Sequence, residues 1–268
     1  MILPLGDEPN PPGVPLATYA LILVNCAVYV FLTLPLSFVR PDPADPLVQE
    51  YLGAMFEVMS LPPSERAANA IFSRLTEYDL LVFEWGFRPV APQVVTLFTA
   101  MFLHGGFLHL AGNMLFLWIF GDNIEARFGR VKYLGIYLMW GIGAGLIHIM
   151  GDPGSGIPAV GASGAISGVL GAYLVIFPRA RVMTFLMLGF FWRMMHIKAM
   201  YFLPFWLIFQ NLLPFFISGF GVAGGGVAYL AHIGGFVLGL AIGFLYKKSH
   251  RSDFSYGTRY GYSRDDWR

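Results

Sequence analysis

Long stretches without charged side chains dominate the hydropathy pattern of this chain. Four of them each fit one helix of about 20 residues, the length that crosses a bilayer. A fifth, Ala199 to Tyr246, is long enough for two such helices, with a break at Ser218–Gly226. The pattern therefore predicts an all-α membrane protein with six transmembrane helices, called spans one to six. The first four stretches are Val14–Val39, Pro89–Gly121, Tyr133–Gly151 and Pro153–Pro178.

Composition agrees with a membrane protein. Of the 268 residues, 56% are hydrophobic and 12% are charged, and the mean hydropathy is +0.62, far from the balance of a soluble domain. The one cysteine, Cys26, excludes a disulfide framework and a CxxC metal site. No Gly-rich phosphate loop or basic nucleic-acid patch is present, so we expect neither nucleotide nor nucleic acid as a partner.

Charges in the connecting loops predict the orientation. Basic residues follow spans two, four and six, whereas the segment Arg40–Arg88 carries eight acidic residues against four arginines. By the positive-inside rule, both termini are cytoplasmic and the acidic loop is external. We expect a short cytoplasmic segment at 1–15, a membrane domain at 16–248 with an external loop at about 40–92, and a polar, disordered cytoplasmic tail at 249–268.

Three shorter segments also carry signals. In the external loop, Ser64 before Glu65 marks a helix start, and apolar residues from Ile71 to Val82 recur at helical spacing, which predicts an amphipathic hairpin. The apolar run Arg181–Trp192 is too short to span a membrane, so we expect it to lie along the cytoplasmic surface. The first 13 residues lack a secretory signal or transit peptide, which favours a prokaryotic cytoplasmic membrane.

Polar side chains within the spans gather at one depth. A charged side chain at the centre of a transmembrane helix costs roughly 2.5–3.5 kcal/mol on insertion scales. Polar side chains within a span therefore indicate a structural or functional role. His109 and Asn113 lie in the first turns of span two, Ser163 near the start of span four and His232 near the start of span six. Because all three spans begin at the external face, the rise per residue puts these groups roughly 10 Å below it.

Small residues would let spans four and six approach closely. Glycines recur at four-residue spacing on span six, and a similar surface lies beside Ser163 on span four. Packing of the two faces would bring the Ser163 hydroxyl within hydrogen-bond reach of the His232 imidazole. The glycines are Gly164, Gly168 and Gly171 on span four and Gly235, Gly239 and Gly243 on span six.

A serine and a histidine in contact suggest nucleophilic catalysis. Ser163 would be the nucleophile and His232 its general base. His109, Asn113 and the Ser163 backbone N–H would stabilise an oxyanion. No Asp or Glu lies at this depth, which favours a Ser–His dyad over a triad. No cofactor is needed, and a metal site from His104, His109 and His232 lacks the HExxH arrangement and a nearby carboxylate.

Structural roles are the alternative for each residue alone. Ser163 by itself is most often a helix-packing serine, and His232 a core histidine bonded to a carbonyl. His109 and Asn113 could form a structural hydrogen bond between helices. The remaining polar residues of the spans are interpreted as structural, with His104 ordering a loop; they are His104, His148, Ser167, Gln210 and Asn211.

Four motifs, in this order, resemble the rhomboid intramembrane serine proteases. They are HLAGN at His109–Asn113, EARFG at Glu125–Gly129, GASG at Gly161–Gly164 and AHIGGFVLG at Ala231–Gly239. The resemblance implies a rhomboid-like bundle, the catalytic and oxyanion roles given above, and a structural pair at Glu125 and Arg127. One departure is Ser167, where some relatives carry an aromatic residue that packs against the catalytic histidine.

The resemblance also implies the substrates. Such proteases cleave single-span membrane proteins within or next to the transmembrane helix, near the external face. Gly219–Gly226 would then serve as a lid and span five as a lateral gate. The alternatives are a catalytically inactive rhomboid-like protein that binds transmembrane clients, and a small transporter, which fits poorly because the polar groups lie near one face.

Overall fold

The computed structural model of the chain describes residues 2–8, 10–219 and 228–250. This part is mostly helical, with short π-helical turns at Tyr29–Thr33 and Ile208–Leu212 and a 3-10 turn at Ala100–Phe102. The α-helices are α1 Leu16–Val28, α2 Leu34–Leu36, α3 Pro46–Val58, α4 Glu65–Phe72, α5 Glu77–Trp85, α6 Val94–Thr99, α7 Phe107–Phe128, α8 Arg130–Gly151, α9 Ser163–Ile176, α10 Ala199–Leu207, α11 Leu213–Gly219 and α12 Tyr229–Ser249. The predicted tail lies outside the described residues from position 251, and the predicted lid lies outside them from position 220.

Four stretches of helix in the described residues are long and apolar enough to cross a membrane. They are Leu16–Leu36, Arg130–Gly151, Ala199–Ile217 and Tyr229–Ser249. A fifth results if Val94–Phe102 and Phe107–Phe128, which are bent by 91° at their junction, count as one span. The predicted span four is represented by α9 alone, which has 14 residues and at about 1.5 Å per residue is shorter than a hydrocarbon core of about 30 Å.

Helix α9 is the centre of the bundle. Its side chains are buried from Gly164 to Tyr173, and glycines bring the neighbouring helices into backbone contact. A Cβ atom at Gly239 of α12 would lie 2.0 Å from the Gly168 carbonyl oxygen, and one at Gly235 would lie 2.1 Å from that of Gly164. On the α8 side, a Cβ at Gly168 would lie 2.3 Å from the Trp140 ring. Helices α9 and α12 therefore pack too closely for any larger residue at these positions.

The prediction of an all-α protein holds only in part: the described residues are mostly helical, but they also contain a three-stranded antiparallel sheet. Strand β1 (Ile2–Glu8) pairs with β2 (Arg181–Leu188), which forms a hairpin with β3 (Phe191–Lys198). Gly189, with φ +59°, supplies the left-handed conformation that a two-residue hairpin turn needs. The segment 1–15, which we expected to be a short cytoplasmic segment, contributes strand β1. Most of the run Arg181–Trp192 forms strand β2, which pairs with β1.

The loop between the first two spans folds into three helices rather than a simple hairpin. Ser64 caps α4 as predicted, accepting from the Ala67 N–H at 3.3 Å. The helical pattern from Ile71 to Val82 is interrupted, because Thr76 and Asp79 form a capping box that starts α5. These helices share a small core made of Val48, Leu52, Leu75 and Leu80.

Candidate active site

Ser163 is the first residue of α9 and follows a turn at Gly161. Gly161 has φ +124°, a conformation that side chains other than glycine rarely adopt, and its N–H donates to the Ala100 carbonyl at 2.8 Å. The first N–H groups of a helix have no intrahelical partner, and the helix dipole adds positive potential there. The Ser163 hydroxyl is half-buried at this positive end of α9.

His232 of α12 contacts Ser163 directly. The distance from His232 Nε2 to Ser163 Oγ is 2.6 Å, within hydrogen-bond range. The contact follows from helix packing, because Gly235 lies one turn after His232 and touches the first turn of α9. The two side chains that the sequence pairs are therefore brought together by the glycine faces on which they sit.

His109 and Asn113 share one face of α7 next to the same turn. A Cβ atom at Gly161 would lie 2.8 Å from His109 Nε2 and 3.7 Å from Asn113 Nδ2. Asn113 is only 8% exposed, and its amide nitrogen finds no hydrogen-bond partner among the described residues. A buried N–H without a partner costs about 1–3 kcal/mol, so it is a donor available to a ligand.

Asn211, interpreted from the sequence as structural, lies in this site. Its side-chain oxygen is 2.7 Å from His232 Nδ1, and the residue is 1% exposed. It belongs to the π-helical turn Ile208–Leu212 and lies three residues before Pro214. A polar residue just before a helix-interrupting proline was the available signal, but helical periodicity alone does not give the direction of its side chain.

The other predicted residues surround the site or lie far from it. Ser167 is buried between α9 and α12, and its hydroxyl donates to the Ser163 carbonyl at 2.8 Å. His104 is buried with its ring edge against His109, the centroids being 5.1 Å apart. Gln210 is exposed on the π turn beside Asn211.

A cavity of about 50 Å³ lies beside Ser163. Its size suffices for a few water molecules at about 10–15 Å³ each. Among the described residues that line it, His148 of α8 is the one with an imidazole, and the others are apolar or small. The lining includes Phe87, Leu97, Met101, Ala144, His148 and Ala231.

The expected pair Glu125 and Arg127 lies at the far end of α7. The Glu125 carboxylate accepts from the backbone N–H groups of Ala17 and Thr18 at 3.0 and 2.7 Å and from the Thr18 hydroxyl at 2.8 Å. The carboxylate thereby binds the N-terminus of α1, where the helix dipole favours a negative charge. The Arg127 guanidinium lies over the Phe177 ring, 5.1 Å from its centroid. Both residues join helices together.

Within residues 2–8, 10–219 and 228–250, no group of three or more His, Cys, Asp or Glu side chains is placed to hold a metal ion. Of the three histidines considered as a metal site from the sequence, His104 and His109 pack against each other. His232 lies between Ser163 and Asn211.

Comparison with known proteins identifies the family. The family model described as Rhomboid domain matches residues 91–249, more than half of the chain. The chain belongs to the rhomboid family, and it is a multi-pass membrane protein.

Three curated relatives illustrate the range of similarity. Rhomboid protein 1, mitochondrial, of Saccharomyces cerevisiae is 26% identical over 80% of this chain and 57% of its own length. RHOMBOID-like protein 6, mitochondrial, of Arabidopsis thaliana is 32% identical over 62% of this chain and 48% of its own length. Rhomboid protease GluP of Bacillus subtilis is 33% identical over 53% of this chain and 24% of its own length.

The chain thus spans between about a quarter and three fifths of these relatives. Two of the three are named as mitochondrial, so they do not support the expected placement in a prokaryotic cytoplasmic membrane.

Proposed function

We propose that this chain is an intramembrane serine endopeptidase that hydrolyses peptide bonds in or next to the transmembrane helices of single-span membrane proteins. The observation that carries the proposal is the 2.6 Å contact between Ser163 Oγ and His232 Nε2. A serine hydroxyl becomes a useful nucleophile when a base removes its proton, and histidine is suited to that role. The relative from Bacillus subtilis is named as a protease, Rhomboid protease GluP, which supports the same activity.

The reaction would proceed in two steps. His232 Nε2 accepts the Ser163 proton as Oγ attacks the scissile carbonyl carbon, and the same proton then passes to the leaving amine as the C–N bond breaks. Water, deprotonated in turn by His232, attacks the acyl-enzyme, and the proton returns to Ser163 as the carboxylic acid leaves. No metal or cofactor takes part in this scheme.

The oxyanion formed in each step would be stabilised by three groups near Gly161. These are the Asn113 amide, the His109 imidazole and the Ser163 backbone N–H at the positive end of α9. The Asn113 N–H group, which has no partner among the described residues, supports this role, because donors fixed before the reaction need no reorganisation as charge develops. The cavity beside Ser163 would admit the water that hydrolysis requires, since lipid supplies none.

The membrane arrangement belongs to the same proposal. We propose six spans, with α9 as the short central one and the bent pair α6–α7 as another. Both termini would face the cytoplasm and the site would open to the opposite side, as the loop charges favour. A helix as short as α9 would begin well below the external surface, which agrees with a recessed reaction site.

The test uses purified full-length protein in detergent with a tagged single-span substrate. We expect a cleaved product with the wild type and none with Ser163→Ala or His232→Ala. A fluorophosphonate probe should label the wild type at Ser163 without any knowledge of the substrate.

Cleavage that persists in either variant would contradict the Ser–His pair. Binding of the substrate without cleavage by the wild type would favour the non-catalytic client-binding alternative instead. Inhibition by EDTA would point to a metal and against this mechanism.

A further inference from the structure

Asn211 occupies the far side of the His232 ring from Ser163. The imidazole is bonded at both nitrogens, with Nε2 2.6 Å from Ser163 Oγ and Nδ1 2.7 Å from Asn211 Oδ1. The three side chains come from three different elements, α9, α12 and the π turn Ile208–Leu212. The geometry is that of a linear relay in which one residue orients the base and the base contacts the nucleophile.

The amide of Asn211 is oriented by a second contact. Its nitrogen reaches the Trp206 carbonyl oxygen at 3.5 Å. A carbonyl oxygen only accepts hydrogen bonds, so the NH₂ group faces Trp206 and the Asn211 oxygen faces the ring. In this orientation of the amide, the 2.7 Å contact requires a proton on Nδ1 of His232, because the amide oxygen also only accepts.

The consequence for the ring is a fixed tautomer. A neutral imidazole has one N–H group, so a proton held on Nδ1 leaves Nε2 with the free lone pair that must accept the Ser163 proton. Without a partner on Nδ1, the ring could hold its proton on Nε2, or it could rotate away from Ser163. In the first case Nε2 has no free lone pair, and in the second it does not face the hydroxyl, so neither arrangement activates Ser163.

The π turn explains how Asn211 reaches the ring. Pro214 cannot donate to the carbonyl of Gln210 four residues back, and its ring would clash with that carbonyl in a regular helix. The chain widens instead, and the Leu213 N–H donates to the Ile208 carbonyl five residues back. Asn211 is buried toward α12, while Phe209 and Gln210 remain exposed.

We propose that Asn211 is the positioning residue of the catalytic base, so that this chain works as a Ser163–His232–Asn211 triad instead of a dyad. The proposal rests on the proposed protease function. A neutral amide suits this place, because it orients the ring without the free-energy cost of burying a carboxylate in a membrane protein.

The first arm of the test measures fluorophosphonate labelling of Ser163 in the full-length protein. Asn211→Leu, similar in size but unable to accept, should label about 100-fold more slowly, at the low end of what general-base catalysis contributes. Asn211→Asp, which restores an acceptor oxygen, should recover most of the rate. The matched control is Gln210→Leu, on the exposed side of the same turn, which should label like the wild type. Thermal unfolding checks that each variant folds.

The second arm measures the tautomer directly. The protein is labelled with ¹⁵N-histidine, and the His232 signals are assigned by their loss in His232→Ala. We expect an Nδ1–H ring in the wild type and in Gln210→Leu, and a mixture of tautomers in Asn211→Leu. A purely structural role for Asn211 would lower the unfolding temperature without changing the tautomer.

The two arms separate the two proposals. An Asn211→Leu variant that labels as fast as Gln210→Leu and keeps the Nδ1–H ring would overturn the triad and leave the protease proposal standing. A wild type that is never labelled at Ser163 would overturn the protease proposal, and the triad with it, whatever the tautomer. If Asn211→Leu does not fold, the labelling rate of Asn211→Asp tests the triad instead. The Asp variant keeps an acceptor oxygen for Nδ1, so slow labelling of a folded Asp variant would contradict the orienting role.

Discussion

The amide of Asn113 is one of the three donors that we propose for the oxyanion. It is buried on α7 beside Gly161, with no hydrogen-bond partner for its nitrogen among the described residues. Gly161 is restricted for two reasons, since its φ is +124° and a Cβ there would lie 2.8 Å from His109 Nε2. The turn before Ser163 therefore depends on a glycine, and the donors around it are fixed by packing.

Loss of the Asn113 donor should slow the chemical step. With Asn113→Leu, we expect kcat to fall about 10²–10³-fold, the usual effect of removing one oxyanion donor, with little change in KM. The measurement is cleavage of a single-span substrate in detergent. Gly112→Ala, at an exposed neighbouring position with open space around its Cβ, is the control and should keep wild-type kcat. An unchanged kcat in Asn113→Leu would leave Asn113 with a structural role.

Single residues of the site differ in how well the sequence predicts them. Ser163 and His232 stand out because polar groups are rare in membrane helices and both lie on glycine faces, which the structure brings together. The sequence interpretation leaves Asn211 structural, whereas the direction of its side chain depends on the π turn before Pro214. Helical periodicity assumes a regular helix, so it does not predict the direction of a side chain in a π turn such as Ile208–Leu212.

At the scale of elements, the contact between α9 and α12 sets the distance between Ser163 and His232. Gly239 lies two turns beyond His232, and even one added methyl group would meet the Gly168 backbone at 2.0 Å. Backbone cannot rotate away as a side chain can, so the helices would have to separate.

The smallest substitution should therefore be enough to disturb the site. We expect Gly239→Ala to destabilise the fold by about 1–3 kcal/mol, as overpacking usually does, and to slow labelling of Ser163. Gly135→Ala on α8 is the matched control, because the same change there meets open space. Thermal unfolding and probe labelling measure both effects; equal behaviour of the two variants would show that α9 and α12 can separate at no cost.

The elements themselves were only partly predictable. Long uncharged runs mark α1, α8 and α12 because burial in lipid demands them. The run Pro153–Pro178 gives a helix only from Ser163, since glycines and prolines fill its first half. Strand β1 carries no periodic signal, and its extended form depends on pairing with a segment far along the chain.

For the whole molecule, Asp7 joins the sheet to the helical bundle. Its carboxyl accepts hydrogen bonds from the Tyr173 hydroxyl of α9 and from Asn123 Nδ2 of α7, the latter at 2.8 Å. Burial raises the pKa of Asp7 to about 8, and the nearby Asp122 charge acts in the same direction, while the Tyr173 bond opposes them. The folded protein therefore holds this group protonated up to about pH 8.

Stability should fall as the pH rises from about 4 to about 8. In that window the unfolded chain has lost the Asp7 proton and the folded chain has not, so this group weakens the fold by up to about 1.4 kcal/mol per pH unit. Asp7→Asn should remove this part of the pH dependence and unfold at a higher temperature near pH 8. Thermal unfolding between pH 5 and pH 9 tests it, with Glu57→Gln, an exposed acid, as control. If the unfolding temperatures of the wild type and of Asp7→Asn changed with pH in parallel, Asp7 would not be a source of the pH dependence.

The pairing of β1 with β2 has a consequence for the order of assembly in the cell. Ile2 faces Leu186 across the sheet, so β1 leaves the ribosome long before its partner strand exists. Most of the membrane helices are synthesised before β2, so β1 stays unpaired during that time. Its backbone N–H and C=O groups are then free to pair with other chains. The sheet can close only after β2 has emerged, and β1 then binds across the finished contact of α7 and α9. Docking of β1 is therefore a late step of folding, because it needs both its partner strand and the packed helices α7 and α9.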